Sequence, residues 1–243
     1  MAASAFSTAP TFDMPDPTDR TALLLGASGL VGGHVLDCLA NDPRWSRVVT
    51  LGRRPLPTAS AHHEDHVVDF DRLDEQAALF ECDDLFCCLG TTRKAAGSDQ
   101  AFRRVDLEIP AQAARLAEAA GASQMLIVSA WGADPDSRLL YSRTKGEVEQ
   151  AVKAVGFEAV QILRPSLLAG DRDEVRWAER IGLAVGTLVA PLLRGPLSPL
   201  RPIEAERVAQ AMVEIAAARP AGTHVYDPDA LRQRAAPAGP PAR

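Results

Sequence analysis

Between residues 20 and 226 the chain alternates short apolar runs with longer stretches whose apolar side chains recur every three or four positions. A continuous apolar run of four to eight residues suits a strand covered on both faces, and the three-to-four spacing suits a helix with one face covered. The runs predict strands at Thr21–Leu25 (TALLL), Arg47–Leu51 (RVVTL), His66–Phe70 (HVVDF), Asp84–Leu89 (DLFCCL), Met125–Ser129 (MLIVS) and Ala159–Leu163, with a short one at Thr223–Tyr226. The helical spacing predicts Leu30–Ala40, about Ser98–Ala120 closed by Gly121, Leu139–Val155 closed by Gly156, Asp173–Leu193 and Glu204–Ala218. Strands alternating with helices imply an α/β protein, a doubly wound parallel sheet with helices on both faces and a small C-terminal extension on the substrate side.

Residues 20–227 are expected to form a single domain, with the substrate-side segment at about 166–205. Residues 1–19 read as a disordered leader and 228–243, rich in Ala, Pro and Arg, as a flexible tail. The leader has no basic start and no apolar core, so it is not a secretory signal. Four cysteines, two of them adjacent at 87 and 88, suit reduced thiols, and a cytoplasmic location is expected. A net charge of −6 argues against nucleic acid or an anionic membrane as partner.

Directly after the first strand comes Gly26-Ala27-Ser28-Gly29-Leu30-Val31-Gly32, a G-x-x-G-x-x-G turn leading into a helix. Glycine lets the backbone turn tightly and approach a diphosphate, and the helix start offers unpaired N–H groups and a positive dipole end. Strand before and helix after are the context that marks a Rossmann dinucleotide site, with Gly26, Ser28, Gly29, Leu30 and Val31 at the phosphates and Gly32 or Gly33 giving close packing. The second strand ends Leu51-Gly52-Arg53-Arg54, where an NAD site usually places a carboxylate for the ribose hydroxyls. Two guanidinium groups suit a 2′-phosphate instead, so NADP(H) is expected over NAD(H). Asp69 and Phe70 are placed to bond and flank the adenine, and Leu89-Gly90-Thr91-Thr92 to run beside the ribose.

Tyr141 and Lys145 form a Y-x-x-x-K pair, one helical turn apart on a shared face. A free phenol ionises near ~10, and a neighbouring ammonium should lower that value, suiting Tyr141 to acid–base work while Lys145 also holds the ribose. Ser129 closes the fifth strand at the ligand-binding rim, where its hydroxyl can polarise a substrate carbonyl.

These stretches together resemble the atypical group of the short-chain dehydrogenase/reductase superfamily, with a closer likeness to the Tat-interacting-protein oxidoreductases and their bacterial relatives. The matching residues are Leu24–Gly32, Val49–Arg54, Val67–Phe70, Phe86–Arg93 (FCCLGTTR), Val105–Asp106, Gly132–Asp134 (GAD), Tyr141, Lys145–Glu149 (KGEVE) and Leu163–Pro165. The resemblance implies an NADP(H)-binding Rossmann domain with a Ser129-Tyr141-Lys145 triad, and it places Pro165, Ser166 and Leu167 beside the nicotinamide. Many superfamily members carry an Asn for a proton relay in the helix after strand four. Here Asp106 stands near that place, a feature the resembling subgroup shares.

His62-His63-Glu64-Asp65-His66 is weighed as a metal cluster and set aside, since a flat run of neighbours rarely converges on one ion. Ile181–Leu193 is apolar almost all round but short of the ~20 residues a membrane span requires. It reads as a buried helix or a lid over the substrate, which is then expected to be a small molecule with an apolar part; a homodimer or membrane-surface contact is the alternative. The expected function is NADP(H)-dependent hydride transfer between nicotinamide and a carbonyl or alcohol. Its alternatives are a non-catalytic NADP(H)-binding regulatory or interaction protein, and a nucleotide-sugar-type epimerase.

Overall fold

The computed structural model describes residues 19–57, 59–169 and 201–234. The strands are β1 (Arg20–Leu25), β2 (Trp45–Gly52), β3 (His63–Val67), β4 (Asp84–Cys87), β5 (Gln124–Val128), β6 (Ala159–Leu163), β7 (Leu168–Ala169), β8 (Ile203–Glu204) and β9 (Gly222–Tyr226). Seven of them make one sheet in the order β3-β2-β1-β4-β5-β6-β9, every neighbouring pair parallel, while β7 and β8 form a separate parallel pair. The helices are α1 (Leu30–Ala40), α2 (Arg93–Ala96), α3 (Asp99–Arg103), α4 (Ile109–Ala119), α5 (Leu140–Lys153), α6 (Ala205–Ala218) and α7 (Pro228–Arg234). Among the described residues, a 3₁₀ segment at Leu73–Phe80 and a π-turn at Arg104–Glu108 complete them.

Alternation along the strands divides the interior. Ala22 and Leu24 join the core under α1 and α6, and Leu23 and Leu25 the core under α4 and α5. Each fully buried Leu or Val contributes about 1.5–3 kcal/mol, so a strand filled on both faces is anchored twice over. The expected doubly wound sheet is thus the observed one. Its strand order reverses at β1, with β2 on one side and β4 on the other, and the carboxyl ends of β1 and β4 face the crevice where such sheets take ligands.

Two expectations need correction. The third strand lies earlier, at His63–Val67, because His63 and Asp65 meet hydrogen-bond partners on β2 and its following loop, so polar side chains sit where an apolar run was sought. The long helix runs unbroken from Asp99 to Ala119, as expected, with a π-turn at Arg104–Glu108 just before Pro110, whose ring leaves no N–H for the helical ladder. Of the tail expected to be loose, Pro228–Arg234 folds as α7, with Leu231 fully buried, and residues 235–243 lie outside the described residues. The overlooked signal is Asp227-Pro228: the Asp227 carboxylate accepts from the Ala230 N–H at 2.8 Å, and proline occupies the first helical turn. The leader up to residue 18, most of the substrate-side segment and the predicted Asp173–Leu193 helix lie outside the described residues.

Candidate nucleotide-binding site

The turn after β1 is built against backbone. Gly26 has φ +87°, and a Cβ there would lie 2.7 Å from the Cys88 carbonyl and 2.9 Å from the Leu89 nitrogen. A Cβ at Gly32 would lie 2.1 Å from the Gly26 oxygen, so α1 rests directly on the turn. Gly29 is the extended N-cap of α1; it brings no side chain to the first-turn N–H groups, and no acidic residue occupies that turn. A helix start left in this state, beside the carboxyl ends of β1 and β4, fits the diphosphate of a dinucleotide lying across Gly26, Ser28, Gly29, Leu30 and Val31.

At the end of β2, Arg53 and Arg54 are exposed, and among the described residues neither makes an ion pair. The loop that carries them is tied down from β3. The Ala59 N–H donates to His63 Nδ1 at 3.0 Å, His63 Nε2 lies 2.8 Å from Thr50 Oγ1, and Thr50 donates to Asp65 Oδ1 at 2.7 Å. Asp65 also accepts from the Leu56 N–H at 2.8 Å. His63 and Asp65 are therefore structural fasteners, while Glu64 pairs with Arg47. Asp69 is exposed just past β3 and accepts from the Asp71 N–H at 2.9 Å. Phe70, expected to flank an adenine, is buried in the core instead, and its carbonyl accepts from Arg104 at 2.7 Å.

Beyond β4, Leu89-Gly90-Thr91-Thr92 runs along the same edge, and Thr92 caps α2 through the Ala95 N–H. The Thr91 N–H donates to Asp106 Oδ2 at 2.9 Å, and Asp106 Oδ1 lies 2.8 Å from Lys145 Nζ. Both charged groups are buried. The extra residue of the π-turn aims Asp106 inward, a common use of such turns near functional sites. A Cβ on Gly90 would lie 3.7 Å from Asp106 and 3.9 Å from Lys145, which joins the ion pair to the loop beside Gly26.

Tyr141, one turn before Lys145 on α5, is 44% exposed, with its ring 6.1 Å from that of Phe102. The lowered phenol pKa expected from Lys145 is not what the structure gives. Protein crowded around the hydroxyl pushes its pKa up, Lys145 pulls it down and Asp106 pushes it up again, so the phenol stands above its ordinary value. For Lys145 burial disfavours the ammonium, but Asp106 and then Tyr141 outweigh it, and the lysine stays charged.

Ser129 is 4% exposed and is turned away from the edge. Its hydroxyl donates to Glu149 Oε1 at 2.6 Å, and Arg164 grips the same carboxylate at 2.8 and 2.6 Å. A hydroxyl already donating to a buried carboxylate has no proton left to polarise a substrate oxygen, which corrects the role expected of Ser129. Glu149, missed by sequence reasoning, thereby ties α5 to the ends of β5 and β6; the signal was a carboxylate in register with Tyr141 and Lys145 on the buried helix face. Gly146 was missed likewise: its α-carbon abuts Asp134 and Pro135, so the GAD and KGEVE stretches are two halves of one contact. Pro165 accepts from the Trp131 N–H at 2.9 Å, Ser166 donates to the Arg201 carbonyl at 2.5 Å, and Leu167 accepts from the Ile203 N–H at 2.8 Å.

A family model described as NAD(P)H-binding matches residues 26–219. Protein HTATIP2 of Rattus norvegicus is 36% identical over 201 residues, covering 74% of this chain and 83% of that one. The mitochondrial protein FMP52 of Lodderomyces elongisporus is 34% identical over 213 residues, covering 81% and 87%. Among solved structures, MoeE5 in complex with UDP-glucose and NAD superposes with a TM-score of 0.63 at 20% identity, covering 85% of this chain and 75% of that one. A short-chain dehydrogenase family protein from Francisella tularensis gives 0.63 at 13%, covering 87% and 98%. These two likenesses speak for the fold. The FMP52 relatives are named as mitochondrial, which overturns the expected cytoplasmic location: reduced cysteines point to a reducing compartment without saying which one. Among the described residues no helix is long and apolar enough to cross a membrane. With a glycine turn against an uncapped helix start, a Tyr-Lys pair at the same sheet edge and these relatives, the chain belongs to the NAD(P)H-binding family of Rossmann proteins, in the short-chain dehydrogenase-like branch that holds HTATIP2 and FMP52.

Proposed function

We propose that the protein is an NADP(H)-dependent oxidoreductase acting on a small carbonyl or alcohol substrate. The observation that carries this reading is Tyr141, exposed beside a buried, charged Lys145 that adjoins the Gly90 loop of the nucleotide edge. A bound nicotinamide supplies or receives the hydride at the substrate carbon. Tyr141 gives its phenolic proton to the carbonyl oxygen during reduction, or takes it back from the alcohol during oxidation. Lys145, paired with Asp106 one helical turn from the phenol, is placed to hold the nicotinamide ribose, and the α1 start faces the diphosphate.

Arg53 and Arg54 favour NADP(H): two exposed guanidinium groups follow β2, and neither is engaged by a described carboxylate. Trp131 and Leu139, both largely exposed, belong to the same stretch as Tyr141, which supports a substrate with an apolar part. With Ser129 committed to Glu149, the phenol itself is the donor to the substrate oxygen.

NADPH consumption against aldehydes, ketones and quinones tests the activity. Tyr141→Phe should lower turnover by about 10²–10⁴, the usual worth of a positioned acid–base group. Unchanged turnover would reject the mechanism and leave a dinucleotide-binding protein without it. For cofactor choice, the Arg53→Ala/Arg54→Ala double variant should bind NADPH no better than NADH; a preference that survives would show that these arginines do not set it.

A further inference from the structure

We infer that Asp106 is a positioning residue that pins Lys145 and cancels its charge, leaving Tyr141 a neutral proton donor and the site in the form competent for carbonyl reduction. This rests on the oxidoreductase reading above and adds a direction to it.

A lone ammonium one helical turn from a phenol favours the phenolate, commonly by one to three pH units for charges ~4–6 Å apart. Here the ammonium is not alone. Asp106 lies 2.8 Å from Lys145 Nζ, both groups are buried, and the second carboxylate oxygen is held by the Thr91 N–H at 2.9 Å. That backbone bond holds the carboxylate in place, and the π-turn fixes its direction. Seen from Tyr141, Lys145 and Asp106 act as a dipole with no net charge.

Among the described residues, two of three nearby guanidinium groups are paired with carboxylates, and the third, Arg143, keeps its charge on a backbone carbonyl. Arg103 pairs with Glu147 at 2.5 Å, Glu149 with Arg164 at 2.6 Å, and Arg143 donates to the Ser137 carbonyl at 2.9 Å. The Cys87 thiol, pushed up to about 11 chiefly by burial, is neutral. Phe102 gives the phenol an apolar neighbour. An asparagine at 106 would keep an acceptor for the Thr91 N–H and lose the charge, so Asp106→Asn separates electrostatics from scaffolding.

The chain has two tyrosines, Tyr141 and Tyr226, and Tyr226 lies away from this site with its hydroxyl on Gln161. Tyrosine labelled with ¹³C at Cζ gives one NMR signal for each, assigned through Tyr226→Phe, and the titration is run on the ligand-free protein. In the wild type, Tyr141 should remain a phenol through pH 9. In Asp106→Asn its midpoint should fall by about one unit or more, as expected for an unopposed neighbouring ammonium. Asp106→Ala is the second variant and should shift it the same way. A wild-type midpoint below pH 9 overturns the proposal whether or not either variant folds, and so does a midpoint that both variants leave unchanged. If NADPH turnover exists, the alkaline limb of its pH profile moves down with the substitution. If turnover is absent but the NMR shift is present, the oxidoreductase reading fails while the role of Asp106 stands.

Discussion

An alanine methyl at position 146 would sit 2.2 Å from the Pro135 nitrogen and 2.4 Å from the Asp134 carbonyl carbon, both backbone-bound atoms that cannot swing aside. Gly146→Ala must therefore push α5 off its loop, carrying Tyr141 and Lys145 with it. Its expected cost is about 1–3 kcal/mol or more, read from the urea midpoint; a midpoint equal to wild type would mean that the loop yields freely. Ser129→Ala probes a different demand. Removing the donor to buried Glu149 should cost about 1–3 kcal/mol while turnover is retained. Loss of turnover at unchanged stability would return the hydroxyl to the chemistry. Neither role is visible in local pattern: Ser129 stands at the strand end where a catalytic hydroxyl is expected, and only its partner, 20 residues away, shows that it faces inward.

The strand β3 and the loop after β2 illustrate the scale of elements. With Nδ1 accepting from the Ala59 N–H, His63 fits its place only as the neutral ring, and burial holds its pKa below the ordinary histidine value. A depressed histidine stabilises the fold fully above the unfolded value of ~6.5 and loses that contribution as pH falls from there toward the folded pKa. The stability gap between wild type and His63→Asn should be constant at neutral pH and above, and should narrow below ~6.5. A gap that stays constant down to pH 5 would show that protonation is tolerated and the loop is not fastened through this ring. Because that loop bears Arg53 and Arg54, NADPH affinity should weaken over the same interval. The sequence offered apolar runs and glycine turns for most elements, and their positions hold to within a few residues. It misplaced β3 because a strand stitched by His63, Thr50 and Asp65 has no apolar alternation to read.

At the scale of the molecule the two ends of the sheet differ in kind. At the amino end, buried Asp84 pairs with Arg20 and accepts from the Trp45 indole at 2.8 Å and from Gln124 at 2.9 Å, a buried polar network that ties the first residues of four strands together. At the carboxyl end, Gly29 at the start of α1, Arg53, Arg54 and Tyr141 are exposed. The C-terminal α7 closes the fold beside β9: Leu231 is fully buried, and Arg234 lies over the Tyr226 ring at 4.7 Å. Leu231→Ala should cost about 2–5 kcal/mol in chemical denaturation, as for a large core side chain cut back to a methyl. A cost near zero would return this segment to the loose tail that its composition suggested.

Taken by itself, the sequence determined the strand-helix alternation, the turn at Gly26–Gly32, the arginines after β2 and the shared helical face of Tyr141 and Lys145. All of these depend on spacing between near neighbours, which backbone geometry sets. The tertiary structure alone decided which groups are free to act. Ser129 turns to Glu149, Phe70 enters the core and Lys145 is claimed by Asp106, because those contacts join residues distant in the chain, and burial forces every polar group to find a partner there.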